Sequence, residues 1–308
     1  METFTHDGMT FRVRDGGPSD APEERTVVLL HGFPQTSAAW SDVSDRLHAQ
    51  GLRTLAPDTR GIAPSARPAR REEYRIDRLV SDVVGLLDAA RLDAVHLVGH
   101  DWGGAIAWAF VRRHPDRVRS LTVLSTPHPG AMAWAMRHST QGLKSWYMLP
   151  LLVPAVPELA IGWGLRRFGM AGLGLPKEQE REYVDALTTF GALGGAIGPY
   201  RGMTTRRRRS AGASESSSSS PSSSSPSSSP SSAPSTGPRR SGRGVAVPTT
   251  YVWGRHDAYL GRAAAERTGS HCTGDYRFVE VDADHWLPEK QSELVAREIA
   301  SRVLGTVD

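Results

Sequence analysis

Cysteine is almost absent from this sequence: Cys272 is the only one among 308 residues. A single thiol cannot close an intramolecular disulfide, and a cysteine-based metal site is excluded with it. Long apolar runs are also missing. None approaches the roughly 20 residues needed to cross a bilayer, and no charged-then-apolar leader opens the chain. These absences lead to the expectation of a soluble, cytoplasmic protein. Hydrophobic residues make up a modest 39%, a share lowered by one serine-rich stretch. The remainder suffices for one large α/β domain with an excursion, or for two smaller domains.

The net charge of +4 and pI near 9.4 would suit a nucleic-acid partner if the charge were spread over the molecule. It is not. Residues 204–244 hold Arg206 to Arg209, Arg239, Arg240 and Arg243 against one acid, Glu215, a net +6 that leaves −2 for the rest. Such arginine runs are more often solvated flanks of disorder than nucleic-acid contacts. The same segment is low in complexity, with serines broken by prolines, and cannot bury enough apolar surface to offset chain entropy. We expect it to be disordered.

Around that segment, strand and helix patterns alternate. Residues 1–20 read as a hairpin, with turn signals at Gly8 and at Gly16-Gly17-Pro18. Strand-type apolar runs follow at 26–30, 52–56, 95–100 and 120–124, separated by helical patterns near 40–49, over 74–90 and after residue 101. Residues 130–203 carry helical runs rich in Gly, Pro and Trp without a convincing strand. Sheet-like sequence resumes at Val245, with strands at 249–253 and 276–281 and a last helix over 292–303. Alternation of this kind specifies a mostly parallel, doubly wound sheet, here with a helical lid inserted between two strands.

The most informative stretch is Val95-His96-Leu97-Val98-Gly99-His100-Asp101-Trp102-Gly103-Gly104. A strand stops at a small-residue turn and a helix begins, the context of a nucleophile elbow. The usual Gly-x-Ser-x-Gly spacing is kept, but Asp101 stands at the centre. A carboxylate with a pKa of about 4 is already ionised at neutral pH and suits displacement at saturated carbon, through an alkyl-enzyme ester. Aspartate is also a preferred helix N-cap, so capping is the competing account.

Three further motifs fall at strand ends, where sites in such sheets are built. His31-Gly32-Phe33-Pro34 ends the 26–30 strand, and the N–H groups of Phe33 and Trp102 are placed to form an oxyanion hole. Trp253-Gly254-Arg255-His256-Asp257 places an acid after a late strand, and Asp284-His285-Trp286 places a histidine after the last one. The order nucleophile, acid, histidine is that of α/β-hydrolase triads. A histidine of ordinary pKa, about 6.5, is largely neutral at pH 7 and can take a proton from water, with a carboxylate fixing its tautomer. Asp282 and Asp284 compete with Asp257 for that second role.

On these residues the chain resembles the epoxide hydrolases of the α/β-hydrolase fold, over nearly all of its length except 204–244. His31-Gly32-x-Pro34 resembles that family's oxyanion motif, Gly99 to Gly104 its nucleophile elbow, and Trp253-Gly254-x-x-Asp257 and His285-Trp286 its acid and base. The chain then divides into a core of residues 1–129 and 245–308 and a helical cap over 130–203, with the Ser-rich insert at 204–244 as a departure from the family pattern. The resemblance also implies two lid tyrosines that hold the epoxide oxygen: Ser145-Trp146-Tyr147 resembles the first site and Tyr200-Arg201 the second. The expected catalytic set is Asp101, His285, Asp257, Tyr147 and Tyr200, with Phe33 and Trp102 as oxyanion donors. No cofactor or metal is implied, and the partners are a small apolar epoxide and water, neither nucleic acid nor membrane. Tyr200 follows Gly198-Pro199, a departure from the family's continuing helix; the proline removes a helical hydrogen bond, from which a misaimed Tyr200 is expected. A haloalkane dehalogenase is the nearest alternative, because its Asp elbow is likewise followed by Trp. Phe33, however, stands where one dehalogenase branch carries a halide-holding Asn, and paired tyrosines have no role there. A catalytically impaired binding protein on the same scaffold is the third reading.

Overall fold

The computed structural model describes residues 1–205 and 244–305. Eight strands, β1 (Thr3–His6), β2 (Met9–Gly16), β3 (Thr26–Leu30), β4 (Arg53–Pro57), β5 (Val95–His100), β6 (Val118–Leu124), β7 (Thr249–Gly254) and β8 (Tyr276–Val281), form one sheet in the order β1-β2-β4-β3-β5-β6-β7-β8. The hairpin expected over 1–20 is its antiparallel edge, and β2 also pairs antiparallel with β4. Every other pairing is parallel. All residues of β3, β5 and β7 are buried, which is why their sequences read as continuous apolar or small-residue runs rather than alternating ones.

Helices cover both faces. On one side α2 (Ile76–Ala90) and α3 (Trp102–Arg113) bury Leu79, Val83, Leu86, Trp108 and Phe110. On the other, α1 (Ser41–His48) buries Val43 and Leu47. Each such side chain contributes about 1.5–3 kcal/mol relative to exposure in water.

After β6 the chain leaves the sheet for α4 (Pro129–His138), α5 (Gln141–Lys144), a 3-10 turn at Ser145–Tyr147, α6 (Met148–Leu151), α7 (Val156–Phe168), α8 (Lys177–Thr188) and α9 (Ala192–Gly202). No strand interrupts these helices, in keeping with the helical reading of 130–203, although α4 begins one residue earlier with Pro129 in its first turn. The insert expected at 204–244 lies outside the described residues from 206 to 243. Beyond it come an isolated bridge between Val245 and Cys272, then β7, α10 (Arg262–Arg267), β8, α11 (Leu287–Lys290) and α12 (Ser292–Leu304). The last helix adds Val295 and Ile299 to the α1 face of the sheet. Helix α10 and the 3-10 turns were not evident in the sequence. Among the described residues no single helix is long and apolar enough to cross a membrane.

The departure at Pro199 does not end the helix; α9 runs through it to Gly202. Tertiary contact outweighs the lost hydrogen bond. Gly195, Gly198 and Gly202, spaced i, i+3, i+7, lie along one face of the helix. A Cβ at Gly195 would sit 2.4 Å from the Gly61 carbonyl oxygen, one at Gly198 2.4 Å from the Tyr74 ring, and one at Gly202 2.4 Å from the Tyr74 carbonyl oxygen. Glycine at all three lets α9 seat directly on the core backbone.

Candidate active site

The elbow between β5 and α3 holds Asp101 at φ 50°, ψ −118°, a backbone conformation that non-glycine residues rarely adopt. The turn is tight because Gly103 packs on β3: a Cβ there would lie 2.0 Å from the Leu30 carbonyl oxygen. The capping account of Asp101 fails, since its side chain makes no cap hydrogen bond to α3. The Phe33 N–H instead donates to Asp101 Oδ1 at 2.8 Å. Gly32 makes that approach sterically available, because a Cβ on it would fall 2.3 Å from the Asp101 Cβ. His31 supports the loop from beneath: the Thr59 N–H donates to its Nε2 at 3.0 Å, and its Nδ1 lies 2.9 Å from the Gly32 carbonyl oxygen. Burial lowers the His31 pKa, which keeps the ring neutral for both bonds. Trp102 opens α3, where amide N–H groups have no intrahelical acceptor, so its N–H is available beside that of Phe33.

From the far side of the sheet, Asp257 and His285 complete a line of three groups. His285 Nδ1 lies 2.7 Å from Asp257 Oδ2, and His285 Nε2 lies 3.7 Å from Asp101 Oδ2. Asp257 is held by two backbone donors, Tyr259 N–H at 2.8 Å and Leu260 N–H at 2.9 Å, both to Oδ1. The rival acids are occupied elsewhere: Asp282 pairs with Arg255 and His256, and Asp284 with Lys290. His285 differs from the ordinary histidine expected. Burial would lower its pKa, but the charges of Asp257 and Asp101 outweigh burial and raise it to about 10. The imidazole is therefore cationic in the free site, and Asp101 is held below the usual carboxylate range against its own burial, chiefly by His285.

Both tyrosines reach this centre. Tyr147 is brought in by α5, where the Gln141 amide donates to the Tyr259 carbonyl at 2.8 Å and Lys144 Nζ donates to the Asp257 carbonyl at 3.0 Å. Its ring stands edge-on to Tyr259, which in turn stands edge-on to His285. Tyr200 is buried between Phe33 and Trp102, its centroid 5.7 Å from the first ring and 5.1 Å from the second, both near perpendicular. Leu151 and Ile197 close the pocket around it. Arg201 fixes the end of α9 by donating to the Leu151 carbonyl (3.0 Å), the Val153 carbonyl (2.8 Å) and Glu158. Burial raises both phenol pKa values, and the Asp101 charge raises each further.

Several residues of this centre were missed in the sequence. Gln35 Oε1 accepts from the Gly32 N–H at 2.9 Å, and its amide donates to Glu289 Oε1 at 2.7 Å. Tyr183 of α8 donates to the same Glu289 oxygen at 2.9 Å, so one buried carboxyl ties the oxyanion loop to the cap. His100 lies between two acceptors, Gln35 Oε1 at 2.8 Å and the His285 carbonyl at 2.9 Å, and its neutral ring donates to one of them. Burial, aided by the charge on His285, lowers its pKa to about 3. Adjacency to Pro34 and to Asp101 was the one available signal for Gln35 and His100; nothing pointed to Glu289.

Fold and site together define the class: the chain has the α/β-hydrolase fold. A family model described as the alpha/beta hydrolase fold matches residues 25–148. More particularly, the chain is 28% identical over 296 residues to the AB hydrolase superfamily protein YfhM of Bacillus subtilis, covering 94% of this chain and 92% of that one. It is also 28% identical over 324 residues to epoxide hydrolase A of Mycobacterium tuberculosis, covering 97% and 95%. Among solved structures it superimposes, with a TM-score of 0.77 and 23% identity, on one described under novel epoxide hydrolases of the superfamily from metagenomes of hot environments, covering 99% of this chain and 98% of that one.

Proposed function

We propose that this chain is an epoxide hydrolase that opens an epoxide to a vicinal diol through an ester on Asp101. The observation that carries the reading is the packing of two phenols, Tyr147 and Tyr200, into one cluster with Phe33 and Trp102, the residues that flank Asp101. In this reading residues 130–203 serve as the lid over a core of residues 1–129 and 245–308, with 204–244 an insert in the chain between them. The names of the relatives point the same way.

Asp101 Oδ1 is engaged by the Phe33 N–H, which leaves Oδ2 as the attacking atom. It forms a bond to an epoxide carbon as the carbon–oxygen bond of the ring breaks. The resulting alkoxide takes a proton from Tyr200 or Tyr147; positioned acids of this kind contribute about 10²–10⁴ in rate. Forming the ester removes the Asp101 charge, one of the causes of the high His285 pKa. The imidazolium then gives up its proton more readily, passing it through solvent to the phenolate left by the first step, and becomes the base that takes a proton from water. Water adds to the ester carbonyl, whose oxygen, formerly Oδ1, develops charge against the Phe33 and Trp102 N–H groups. Collapse breaks the carbon–oxygen bond to the alkyl group, the His285 imidazolium protonates the departing alkoxide to complete the diol, and the Asp101 carboxyl returns its proton to His285. Trp102, which a dehalogenase would turn toward a halide, packs its ring edge-on against Tyr200.

The test is His285→Gln, which should form the ester and fail to hydrolyse it. Incubated with an aryl epoxide, this variant should gain the whole mass of the epoxide on Asp101. Incubated with a bromoalkane, it should gain nothing. A mass gain of the alkyl group without bromine would move the protein to the dehalogenases, and wild-type diol formation that survives Asp101→Ala would overturn the mechanism.

A further inference from the structure

Helix α7 is apolar on both its inner and its outer side. The inner side buries Pro157 and Leu165, with Ile161 packed on the core. The outer row, Val156, Leu159 and Trp163, falls at i, i+3 and i+7 and is exposed. A helix that is hydrophobic all round is normally covered on every side. Beside the outer row runs a groove of about 730 Å³ whose apolar lining includes Leu159, Trp163, Phe190 and Leu193. Trp163, and Trp146 in the turn before α6, are 65% and 66% exposed, while the other six of the eight tryptophans are buried or half-buried.

We propose that this face of the cap docks on the surface of an anionic lipid bilayer. Two observations favour lipid over a second copy of the chain. The first is charge. Arg166 and Arg167 stand at the groove, and Glu158, the one acid that lines it, is paired with Arg201. Arg166 donates to the Gly162 and Thr188 carbonyls, which carry no charge to offset its own. The groove therefore offers the arginines of a second copy no free carboxylate, whereas anionic headgroups meet them directly. The second observation is composition. Gln141–Leu151 and Val156–Phe168 together have the length and hydropathy of a membrane-spanning segment, but they are bent by 95° at the break between them. Such a pair suits the interface of a bilayer rather than its depth, with tryptophan and arginine at the level of the headgroups. This mode of binding needs no spanning helix.

The test is cosedimentation of the full chain with vesicles of phosphatidylglycerol and phosphatidylcholine in equal amounts, and with phosphatidylcholine alone. Binding to the mixed vesicles should be the stronger. Leu159→Ser/Trp163→Ser should lower the partition coefficient at least about tenfold, because two apolar side chains are withdrawn from lipid. Arg167→Glu should lower it at least about fivefold, the worth of one cation near an anionic surface. The substituted side chains are exposed, so both variants should keep the wild-type circular dichroism and Tm. Absent binding, or equal binding to the two kinds of vesicle, overturns the proposal. So does wild-type binding that both variants retain, which would assign the contact to the arginines of 206–243. A dimer found by analytical ultracentrifugation without lipid, and dissociated by Leu159→Ser/Trp163→Ser, would also overturn it by giving the face to a second copy.

Discussion

The sheet core and the helical cap solve the burial problem differently. In the core, the strands that end at Asp101 and the Phe33 loop are buried along their whole length, and each reacting atom is fixed by backbone donors or by a buried side chain. In the cap, apolar side chains face outward. Eleven of the twelve large hydrophobic residues exposed among the described residues, from Met136 to Met203, belong to it; Leu304 is the twelfth. The cap is thus less self-sufficient as a folding unit, and it owes the placement of Tyr147 and Tyr200 to its attachments on the core.

The sharpest break in this comparison removes the cap's chemistry and leaves the core's. In the double variant Tyr147→Phe/Tyr200→Phe, the rate of ester formation on Asp101 should fall by about 10²–10⁴, measured by single-turnover quench and mass spectrometry. Hydrolysis of a preformed ester, which depends on His285 and the oxyanion N–H groups, should change far less. Equal losses in both steps would mean that the phenols serve the fold rather than the epoxide oxygen.

Next in size is an attack on the attachment. In Gly195→Ala the new Cβ meets the Gly61 carbonyl oxygen, a backbone atom that cannot move alone. Overpacking of this kind costs about 1–3 kcal/mol, and here it should lift α9 and Tyr200 from the site. Activity should fall by at least about fivefold, the factor that 1 kcal/mol represents, while the main thermal transition of the core moves little. A lowered Tm with full activity would separate α9 docking from the reaction.

A third measurement sharpens the account of the core. His285 has a folded-state pKa near 10 against 6.5 for the free side chain. Its ion pairing therefore stabilises the protein fully below about pH 6.5, the unfolded value, and that stability is lost as the pH rises through 10. Replacing Asp101 by Asn should lower the His285 pKa by about 1–3 units, read from the imidazole proton shifts by NMR. The direction matters more than the size, because the same change accompanies ester formation. A pKa that does not move in the Asn variant would leave the proposed release of the base without a cause.

What could be read from the sequence follows the same division. The 26–30 strand and the Asp101 elbow were legible because their signals are local: continuous apolar runs, small residues at the turn, and an acid and a histidine just past later strand ends. The cap was legible only as helical. Its Gly- and Pro-rich segments have weak intrinsic preferences, and tertiary contact decides them, so Pro199 reads as a break where Gly195, Gly198, Gly202 and Arg201 hold a continuous helix. Local pattern carries no trace of the Gln35–Glu289–Tyr183 link, whose first bond joins residues 254 positions apart. The cationic state of His285 was missed for a related reason: composition assigns one carboxylate to a histidine, and the folded chain brings two.

The smallest expected effect lies at the rim, where core and cap also meet through Glu182 of α8 and two arginines of β2. Arg14 donates to both Glu182 carboxylate oxygens at 2.8 and 2.7 Å, and Arg12 to one at 3.2 Å. The geometry is good, but the arginine side chains are 43% and 50% exposed and Glu182 is 32% exposed, so water and salt screen the pairs. Exposed pairs of this kind are worth about 0–1 kcal/mol. Glu182→Gln should therefore shift Tm by a few degrees at most at low ionic strength, and the shift should vanish in about 1 M salt, where the Debye length is near 3 Å. A large, salt-independent loss would show that the cap rests on its rim charges. The opposite outcome would leave the buried Glu289 carboxyl and the glycine face of α9 as what holds it in place.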